Sequence, residues 1–381
     1  MSDKWTMFNG NKVIDADGHV MEPNELYDEY LDSKFRPALD ELKKIASTRA
    51  SRYFFGYFHQ LNTGRPLGIA TPDKPLTRTG RKPHGERPDI RGGFDPHVRI
   101  KDMAREGIDV AVLFATVVSS FCALDSVDFE VAMIRAYHRW LADYCAAYPN
   151  RLKGVAVVPM RAPELAAEEI RRVANEPWCV GIYLSAHMED KLLDHPAFHP
   201  IWKACVETDL PACFHGGTAR PPYGMGTFEM GNNLFIQHSA TNPFEVMRGI
   251  ASLVGGGVLD IFPKLRVAFL EAGVGWLPFW MERLDEHYEL MPEYVPFLRR
   301  KPSEVIRSEN FFISCDPDEE TLPFVVDTVG AEHILYASDY PHFDSRFPHT
   351  VSLTAGRKEF DASVPKKILH ENPTRLYTRL K

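Results

Sequence analysis

Acidic and histidine side chains recur directly after short apolar runs of this 381-residue chain. The first run ends in the motif DADGH, which contains Asp17 and His19, and later runs are followed by His215, Glu271 and Asp339. Because side chains alternate along a strand, the two aspartates and the histidine of the motif are predicted to share one face. Imidazole nitrogens and carboxylate oxygens are typical ligands of a divalent metal ion, so the pattern predicts a metal site.

Two further histidines are candidates for the same site. His238 follows an apolar run, and His342 lies three residues after Asp339. For each of them, a role as a metal ligand and a role as a hydrogen-bonded loop histidine are equally favoured. His342 could also orient a metal ligand or contact the substrate. With both included, four histidines and three carboxylates suit two six-coordinate ions better than one four-coordinate ion. His187, after the fourth run, is a weaker candidate.

These side chains are far apart in the sequence, so elements must bring them together. Eight short β-rich runs alternate with stretches of helical spacing, which predicts a parallel sheet of the α/β class. Eight such units favour a (β/α)₈ TIM barrel over an open sheet, and the strand ends of a barrel converge on one mouth. The predicted strands are residues 13–17, 110–115, 152–158, 180–184, 210–214, 265–270, 311–315 and 334–337.

One long segment interrupts this alternation within a single predicted domain, residues 1–381. Residues 32–96 are rich in glycine, proline and charge, and they contain an aromatic cluster at 53–58. We expect this insertion after the first strand to lie over the barrel mouth as a lid, with a peripheral flap or an oligomer contact as alternatives. Three arginines could pair with a substrate carboxylate: Arg52, Arg91 and Arg220.

The composition excludes several classes of protein. A net charge of −8, with no long basic block, argues against nucleic-acid binding. The sequence contains no apolar stretch of about 18 residues and no apolar leader, so we expect a cytoplasmic protein without a membrane span. None of the six cysteines forms a C-x-x-C pair, and several lie in apolar runs, which predicts reduced and buried thiols.

Taken together, the motifs resemble those of the amidohydrolase superfamily. The similarity is to its amidohydrolase-related branch, which includes aminocarboxymuconate-semialdehyde decarboxylase and the resorcylate decarboxylases. It spans most of the chain and rests on DADGH, on FDP and EGID before the second strand, on FHG, on FPKL, on YASDYP and on NP near the end. The resemblance implies a (β/α)₈ barrel with a divalent metal at its mouth.

Two positions depart from that family pattern. Asp17 stands where the family usually has histidine or glutamate, and Glu271 stands where it usually has histidine. Carboxylate ligands favour iron or manganese over zinc, and bridging carboxylates favour a pair of ions. This variant set resembles the dinuclear non-haem iron or iron–manganese oxygenases of the superfamily, such as 2-aminoisobutyric acid hydroxylase.

The leading interpretation is therefore a dinuclear monooxygenase that hydroxylates a small organic substrate with O₂. Its two ions, Fe/Fe or Fe/Mn, would be held by Asp17, His19, His215, His238, Glu271, Asp339 and His342. The lid would exclude water from the mouth.

The alternative is a mononuclear hydrolase or non-oxidative decarboxylase of a carboxylic acid. One ion, such as zinc, would then be held by Asp17, His19, His215 and Asp339. In that case Glu271 acts as general base, while His238 or His342 moves protons. A non-catalytic barrel is a third hypothesis, against which the retained ligand types argue. The family implies an oligomer, either of this chain alone or with a related subunit.

Overall fold

The computed structural model describes residues 8–23, 25–46, 90–116, 118, 124–215, 234–342 and 344–380. Its centre is an eight-stranded sheet in which every strand pairs in parallel with the next one along the chain. The strands are β1 Ile14–His19, β2 Val110–Phe114, β3 Leu152–Val157, β4 Cys179–Ser185, β5 Ala212–His215, β6 Val267–Phe269, β7 Phe311–Cys315 and β8 Ile334–Tyr336.

Backbone hydrogen bonds between the first strand and the segment after the last one bring the two edges of the sheet together. The amide of Asp339 donates to the carbonyl of Asp17 at 3.0 Å, and the amide of His19 donates to the carbonyl of Tyr340 at 2.7 Å. Eight parallel strands in chain order, joined in this way, form a (β/α)₈ barrel. The predicted fold is therefore confirmed, and the predicted strands lie within a few residues of the observed ones.

Helices follow the strands and cover the outside of the sheet. A short two-stranded hairpin, His187–Met188 with Lys191–Leu192, comes after β4. The α-helices are α1 Leu26–Tyr30, α2 Arg36–Ala46, α3 Pro96–Glu106, α4 Val127–Ala146, α5 Pro163–Val173, α6 His199–Thr208, α7 Leu234–Gly255, α8 Val258–Ile261, α9 Leu277–Leu290, α10 Pro302–Ile306, α11 Leu322–Val329, α12 Thr350–Ala355, α13 Ser363–Lys366 and α14 Asn372–Leu376. Short 3₁₀ or π turns occupy Ser33–Phe35, Ile90–Gly93, Pro196–Phe198, Pro292–Tyr294, Ala331–His333, Lys367–Glu371 and Thr378–Leu380.

The two ends of helix α3 explain the residue types found in the FDP and EGID motifs. The carboxylate of Asp95 caps the helix by accepting from the amide of His97 at 2.8 Å, and a proline occupies the first turn. Gly107 ends the helix in the left-handed conformation, with φ +90°, which glycine adopts without strain. Asp109 then accepts from the amide of Val13 at 2.9 Å, which ties the entry of β2 to that of β1.

The core lies between the strands and the surrounding helices. Phe214 of β5 stacks on Phe269 of β6 at 4.9 Å between ring centroids and contacts Trp202 of α6 at 5.9 Å. Five cysteines are buried free thiols, namely Cys145, Cys179, Cys205, Cys213 and Cys315, as expected from their apolar surroundings. The sixth, Cys122, lies outside the described residues. None of the helices in the described ranges is long and apolar enough to cross a membrane.

Only the two ends of the predicted lid fall within the described residues. Helix α2 follows the barrel's first strand and helix α1, and the turn Ile90–Gly93 leads into α3. Residues 47–89, including the aromatic cluster and Arg52, lie outside the described ranges. The lid, and the division of the chain as a single domain of residues 1–381, remain predictions.

Candidate metal centre

Six of the seven predicted site residues meet at the carboxyl ends of the strands, around the Nε2 atom of His19. This nitrogen lies 3.5 Å from Asp17 Oδ1, 3.2 Å from His215 Nε2, 3.6 Å from Glu271 Oε2 and 3.5 Å from Asp339 Oδ1. Strands β1, β5, β6 and β8 each contribute at or just after their ends, as a barrel mouth requires. The cluster therefore gathers residues from opposite ends of the chain.

The candidate ligand atoms form two overlapping groups, each lying within 4.8 Å of one another. The first consists of Asp17, His19 and His215, and the second of His19, Glu271, Asp339 and His342. Both groups depend on His19, and its Nε2 atom has a single lone pair, which can bind only one ion. The described residues thus form one centre around His19 more readily than two independent ones.

Solvent exposure separates the six residues into two layers. The side chains of Asp17, His19 and His215 are 1%, 2% and 3% exposed, so they form an inner layer. Those of Glu271, Asp339 and His342 are 19%, 20% and 17% exposed and form an outer layer that faces the opening. The inner layer can enclose an ion, whereas the outer layer can also reach a substrate.

The surroundings of His19 orient it as a ligand. Its Nδ1 atom lies 3.2 Å from the carbonyl oxygen of Ala115, which can only accept, so Nδ1 carries the proton. Burial, together with the neighbouring imidazoles of His342 and His215, lowers the pKa of His19 to about 4, although Glu271 and Asp17 act to raise it. The ring is therefore neutral and directs the Nε2 lone pair at the cluster, as a metal-binding histidine requires.

Asp17 provides the test of whether the cluster fits a cation. Both of its carboxylate oxygens are buried, and neither accepts a hydrogen bond from the described part of the chain. A buried carboxylate that accepts no hydrogen bond is costly, and a divalent cation can offset this cost. With two imidazoles and up to three carboxylates nearby, the donor set suits manganese, iron or zinc.

The outer layer contains two carboxylates whose pKa values are strongly shifted. Burial acts to raise the pKa of Glu271, but the imidazoles of His215 and His19 outweigh it and hold the pKa well below its usual range. Burial raises the pKa of Asp339 well above its usual range, and the nearby Glu271 carboxylate raises it further. Two carboxylates that cannot both ionise freely are a second sign that the cluster accommodates positive charge.

The two acidic residues of the outer layer have an unusual backbone conformation. Glu271 has φ +52° and Asp339 has φ +51°, in the left-handed region that residues other than glycine seldom adopt. Such a conformation costs on the order of 1–3 kcal/mol and concentrates at functional sites.

The prediction that Asp15 shares a face with Asp17 and His19 is wrong. The pairing of β1 with β2 shifts register between Asp15 and Gly18, so strict alternation fails there. Asp15 instead accepts from the amide of Ser338 at 2.9 Å and from its hydroxyl at 2.6 Å. Asp15 therefore fastens the end of β8 to β1 and takes no part in the candidate ligand groups.

The remaining candidates are not members of the ligand groups found among the described residues. His238 belongs to helix α7, but its side chain lies outside the described residues, as does the whole of Arg220. His187 pairs through Nδ1 with Glu245 at 3.0 Å and is in neither ligand group. Arg91 is exposed in the turn before α3.

Two polar residues at the site were missed by the sequence analysis. The hydroxyl of Thr116 lies 3.2 Å from His342 Nε2, and the amide of Asn242 donates to Glu271 Oε1 at 2.8 Å. Thr116 directly follows the predicted second strand, so its position carried a usable signal. Asn242 lies within a helix, where no strand-end pattern identifies it.

Arg99 of α3 stabilises the backbone around the metal centre but is not a candidate ligand. Its side chain is buried, and Nη1 donates to the carbonyl of His19 at 2.8 Å, with the carbonyl of Tyr340 at 3.4 Å. Its guanidinium also lies 4.6 Å above the Tyr340 ring. One side chain thus fixes the backbone beside His19 and beside Asp339.

We expect Arg99→Met to weaken manganese binding by about 10- to 100-fold, as loss of a residue that orients ligands typically does. Arg99→Lys should recover part of the loss because an ammonium group can still reach one carbonyl. Titration of metal-free protein with manganese measures both. Lys101→Met, on the exposed side of the same helix, is the control, and an unchanged affinity in folded Arg99→Met would refute this positioning role.

Comparison with known proteins agrees with the fold and the motifs. A 5-carboxyvanillate decarboxylase from Novosphingobium aromaticivorans, solved with manganese and 4-hydroxy-3-methoxy-5-nitrobenzoic acid, superposes with a TM-score of 0.72 over 99% of each chain at 21% identity. At that identity the likeness concerns the fold alone.

The proteins that are similar in sequence include two further decarboxylases. The chain is 27% identical over 251 residues to 2-amino-3-carboxymuconate-6-semialdehyde decarboxylase of Dictyostelium discoideum, covering 65% of this chain and 67% of the relative. It is 25% identical over 313 residues to gamma-resorcylate decarboxylase of a Polaromonas strain, covering 76% and 93%. The family model described as Amidohydrolase matches residues 14–379, nearly the whole chain. The chain therefore belongs to the amidohydrolase family.

Proposed function

We propose that this protein is a metal-dependent decarboxylase that removes CO₂ from a carboxylic acid without using oxygen. The observation that carries the proposal is the division of the site into a buried inner layer and a partly exposed outer layer. The inner layer is suited to holding one ion, which leaves Glu271 and His342 of the outer layer free for proton transfer. The relatives named above are decarboxylases, which favours this alternative over the dinuclear oxygenase.

In this proposal Asp17, His19 and His215 hold one divalent ion, and Asp339 reaches it from the outer layer. A bound divalent ion supplies Lewis-acid polarisation of the substrate carboxylate and orients it. Manganese, present in the similar decarboxylase structure, and zinc or iron all suit these ligands. With one bound ion, Asp17 is simply one of its ligands, so an aspartate at this position does not require a second ion.

In this proposal His342 donates the proton that replaces CO₂. Its Nδ1 lies 2.6 Å from Asp339 Oδ1, and its ring lies against that of His19 at an interplanar angle of 33°, with centroids 4.0 Å apart. These contacts, with Thr116 at Nε2, fix the ring at the edge of the opening. A histidine fixed in this way can act as a general acid towards carbon.

In this proposal Glu271 acts as the general base. Asn242 holds one of its oxygens, and the other lies 3.0 Å from His215 Nε2. In this proposal Glu271 accepts a proton from an acidic group of the substrate and returns it to the product, while His342 donates a proton to the carbon that CO₂ leaves and is then reprotonated by solvent. The net change is one C–C bond broken and one C–H bond formed, and the proton consumed comes from solvent.

The test is product analysis with manganese-loaded protein and candidate acids, including 2,6-dihydroxybenzoate and 5-carboxyvanillate. We expect CO₂ and the decarboxylated product in equal amounts from at least one acid, with no oxygen consumed. A hydroxylated product formed only in the presence of O₂ would overturn the proposal and restore the oxygenase interpretation.

A further inference from the structure

Glu271 lies at the start of the loop that joins β6 to α9. The sequence from Glu271 to Gly275 is EAGVG, and both Glu271 and Gly273 have positive φ angles, +52° and +61°. A residue other than glycine keeps such a conformation only where its surroundings hold it there. The contacts that hold this loop therefore determine where the Glu271 carboxylate lies.

Ser314 of β7 fixes the backbone at Glu271 itself. Its hydroxyl oxygen accepts from the amide of Glu271 at 3.1 Å, and the serine is buried. The parallel pairing of β6 with β7 reaches Phe269 opposite Ile313, so this bond extends the attachment to β7 past the last paired residues. Together with the bond from Asn242 to the carboxylate, it holds Glu271 at both its amide and its side chain.

Glu319, between β7 and α11, fixes the other end of the loop. The amide of Val274 donates to its carboxylate, at 2.9 Å from Oε1 and 3.0 Å from Oε2, and so does the amide of Gly275. The fit is close, because a Cβ atom added at Gly275 would collide with Thr321 Oγ1 and lie 2.9 Å from Glu319 Oε1. Glycine at position 275 thus allows the carboxylate to reach both amides.

Glu319 is itself held in place. Arg357 Nη2 donates to the carbonyl of Glu319 at 2.6 Å and to that of Pro317 at 3.2 Å, which fixes the backbone. The hydroxyl of Thr321 donates to Glu319 Oε1 at 3.2 Å, which fixes the side chain. A carboxylate held in both ways gives the loop one position rather than several.

We propose that Ser314 and Glu319 are positioning residues, which set the conformation of the loop so that the Glu271 carboxylate faces the metal centre. This inference rests on the proposed function, because that function makes Glu271 the general base. The competing explanation is that Glu319 only caps the amino end of α9, which begins at Leu277. In that case its loss lowers the stability of the fold without a selective effect on the chemical step.

Kinetics of manganese-loaded protein, with an acid that it decarboxylates, separate the two explanations. Glu319→Met removes both acceptor oxygens and should lower kcat about 10- to 100-fold with KM within about 2-fold, because a shift of about 1 Å in a reacting group has an effect of this size. Glu319→Gln keeps one oxygen for the two amides and should recover most of the loss, whereas a purely electrostatic effect would be the same in both variants. Ser314→Ala should also lower kcat and serves in place of Glu319→Met if that variant does not fold.

A double substitution tests whether Glu319 acts through Glu271. In the Glu271→Gln background, Glu319→Met or Ser314→Ala should lower kcat by less than about 2-fold, because the base that they position is already lost. Glu320→Gln, at the exposed neighbouring acid, is the control and should leave kcat unchanged. The same loss of kcat in both backgrounds, or equal losses in Glu319→Gln and Glu319→Met, would overturn the inference.

Crystal structures of the variants test the inference without any measurement of activity. In Glu319→Met and in Ser314→Ala, the Glu271 carboxylate should move by at least about 1 Å relative to His215, while metal content stays at that of the parent protein. A carboxylate that keeps its position in both variants would overturn the inference. If the carboxylate moves but no acid releases CO₂, the proposed function fails and the positioning role stands.

Discussion

His19→Ala is expected to empty the metal centre and lower kcat/KM by at least about 10³-fold, since the Lewis acid supplies several kcal/mol of transition-state stabilisation. His19 is the residue shared by both candidate ligand groups, and its Nε2 lies within 3.6 Å of ligand atoms from four other residues. No other residue of the cluster touches as many of its neighbours in the described structure. Elemental analysis of the purified variant, beside its kinetics, measures both losses.

The fold should survive this substitution. Removing one imidazole from the mouth leaves the backbone bonds that join β1 to β8 intact. The unfolding midpoint of metal-free variant and metal-free parent should therefore be similar. His287→Ala, at an exposed histidine of α9, is the matched control and should keep full metal content. A folded His19→Ala protein that retains its metal would contradict the assignment of the centre.

Glu271→Gln is expected to lower kcat by about 10²–10⁴-fold, the usual range for loss of a general acid or base. Metal content should be unchanged, because in this account Glu271 moves protons and does not hold the ion. Glutamine keeps the side-chain length and one oxygen for the hydrogen bond from Asn242, so the geometry is preserved while the basic oxygen is lost.

Asn242→Ala is the matched control for Glu271. It removes the orienting hydrogen bond but leaves the carboxylate, and it should reduce kcat far less than Glu271→Gln. Loss of an ion from Glu271→Gln would make Glu271 a ligand and would support a dinuclear site. The same variant therefore separates the two interpretations that the sequence left open.

The fold and most of the site could be predicted because barrel geometry is regular. Strand β7 was predicted with its observed bounds, residues 311–315, since an apolar run bounded by polar residues has few other interpretations. Positions directly after such runs must meet at one mouth, which is why His215, Glu271 and Asp339 could be grouped from sequence.

Local departures from regular geometry could not be predicted. The register shift in β1 moved Asp15 away from Asp17 and towards Ser338, and no residue pattern in the motif signals it. Likewise, the positive φ angles of Glu271 and Asp339 are visible only in the structure. Arg99 reaches the centre through backbone carbonyls, which carry no sequence signature.

The type of reaction was harder to predict from the sequence than the fold, because it depends on how deeply each candidate ligand is buried. The sequence placed two carboxylates at positions where histidine is usual, and this favoured a dinuclear oxygenase. In the structure those carboxylates differ, since Asp17 is enclosed and Glu271 faces the opening. Residue types alone do not reveal this difference, yet it is what favours one ion and a separate base.

A metal titration of activity under strict anaerobiosis tests the central claim most directly. Metal-free protein is titrated with manganese in the absence of O₂, and CO₂ release from an accepted acid is followed at each step. The account predicts that activity saturates at about one ion per chain, as expected for a mononuclear Lewis-acid site, and does not increase when O₂ is admitted. Saturation only at two ions, together with turnover that requires O₂, would contradict it.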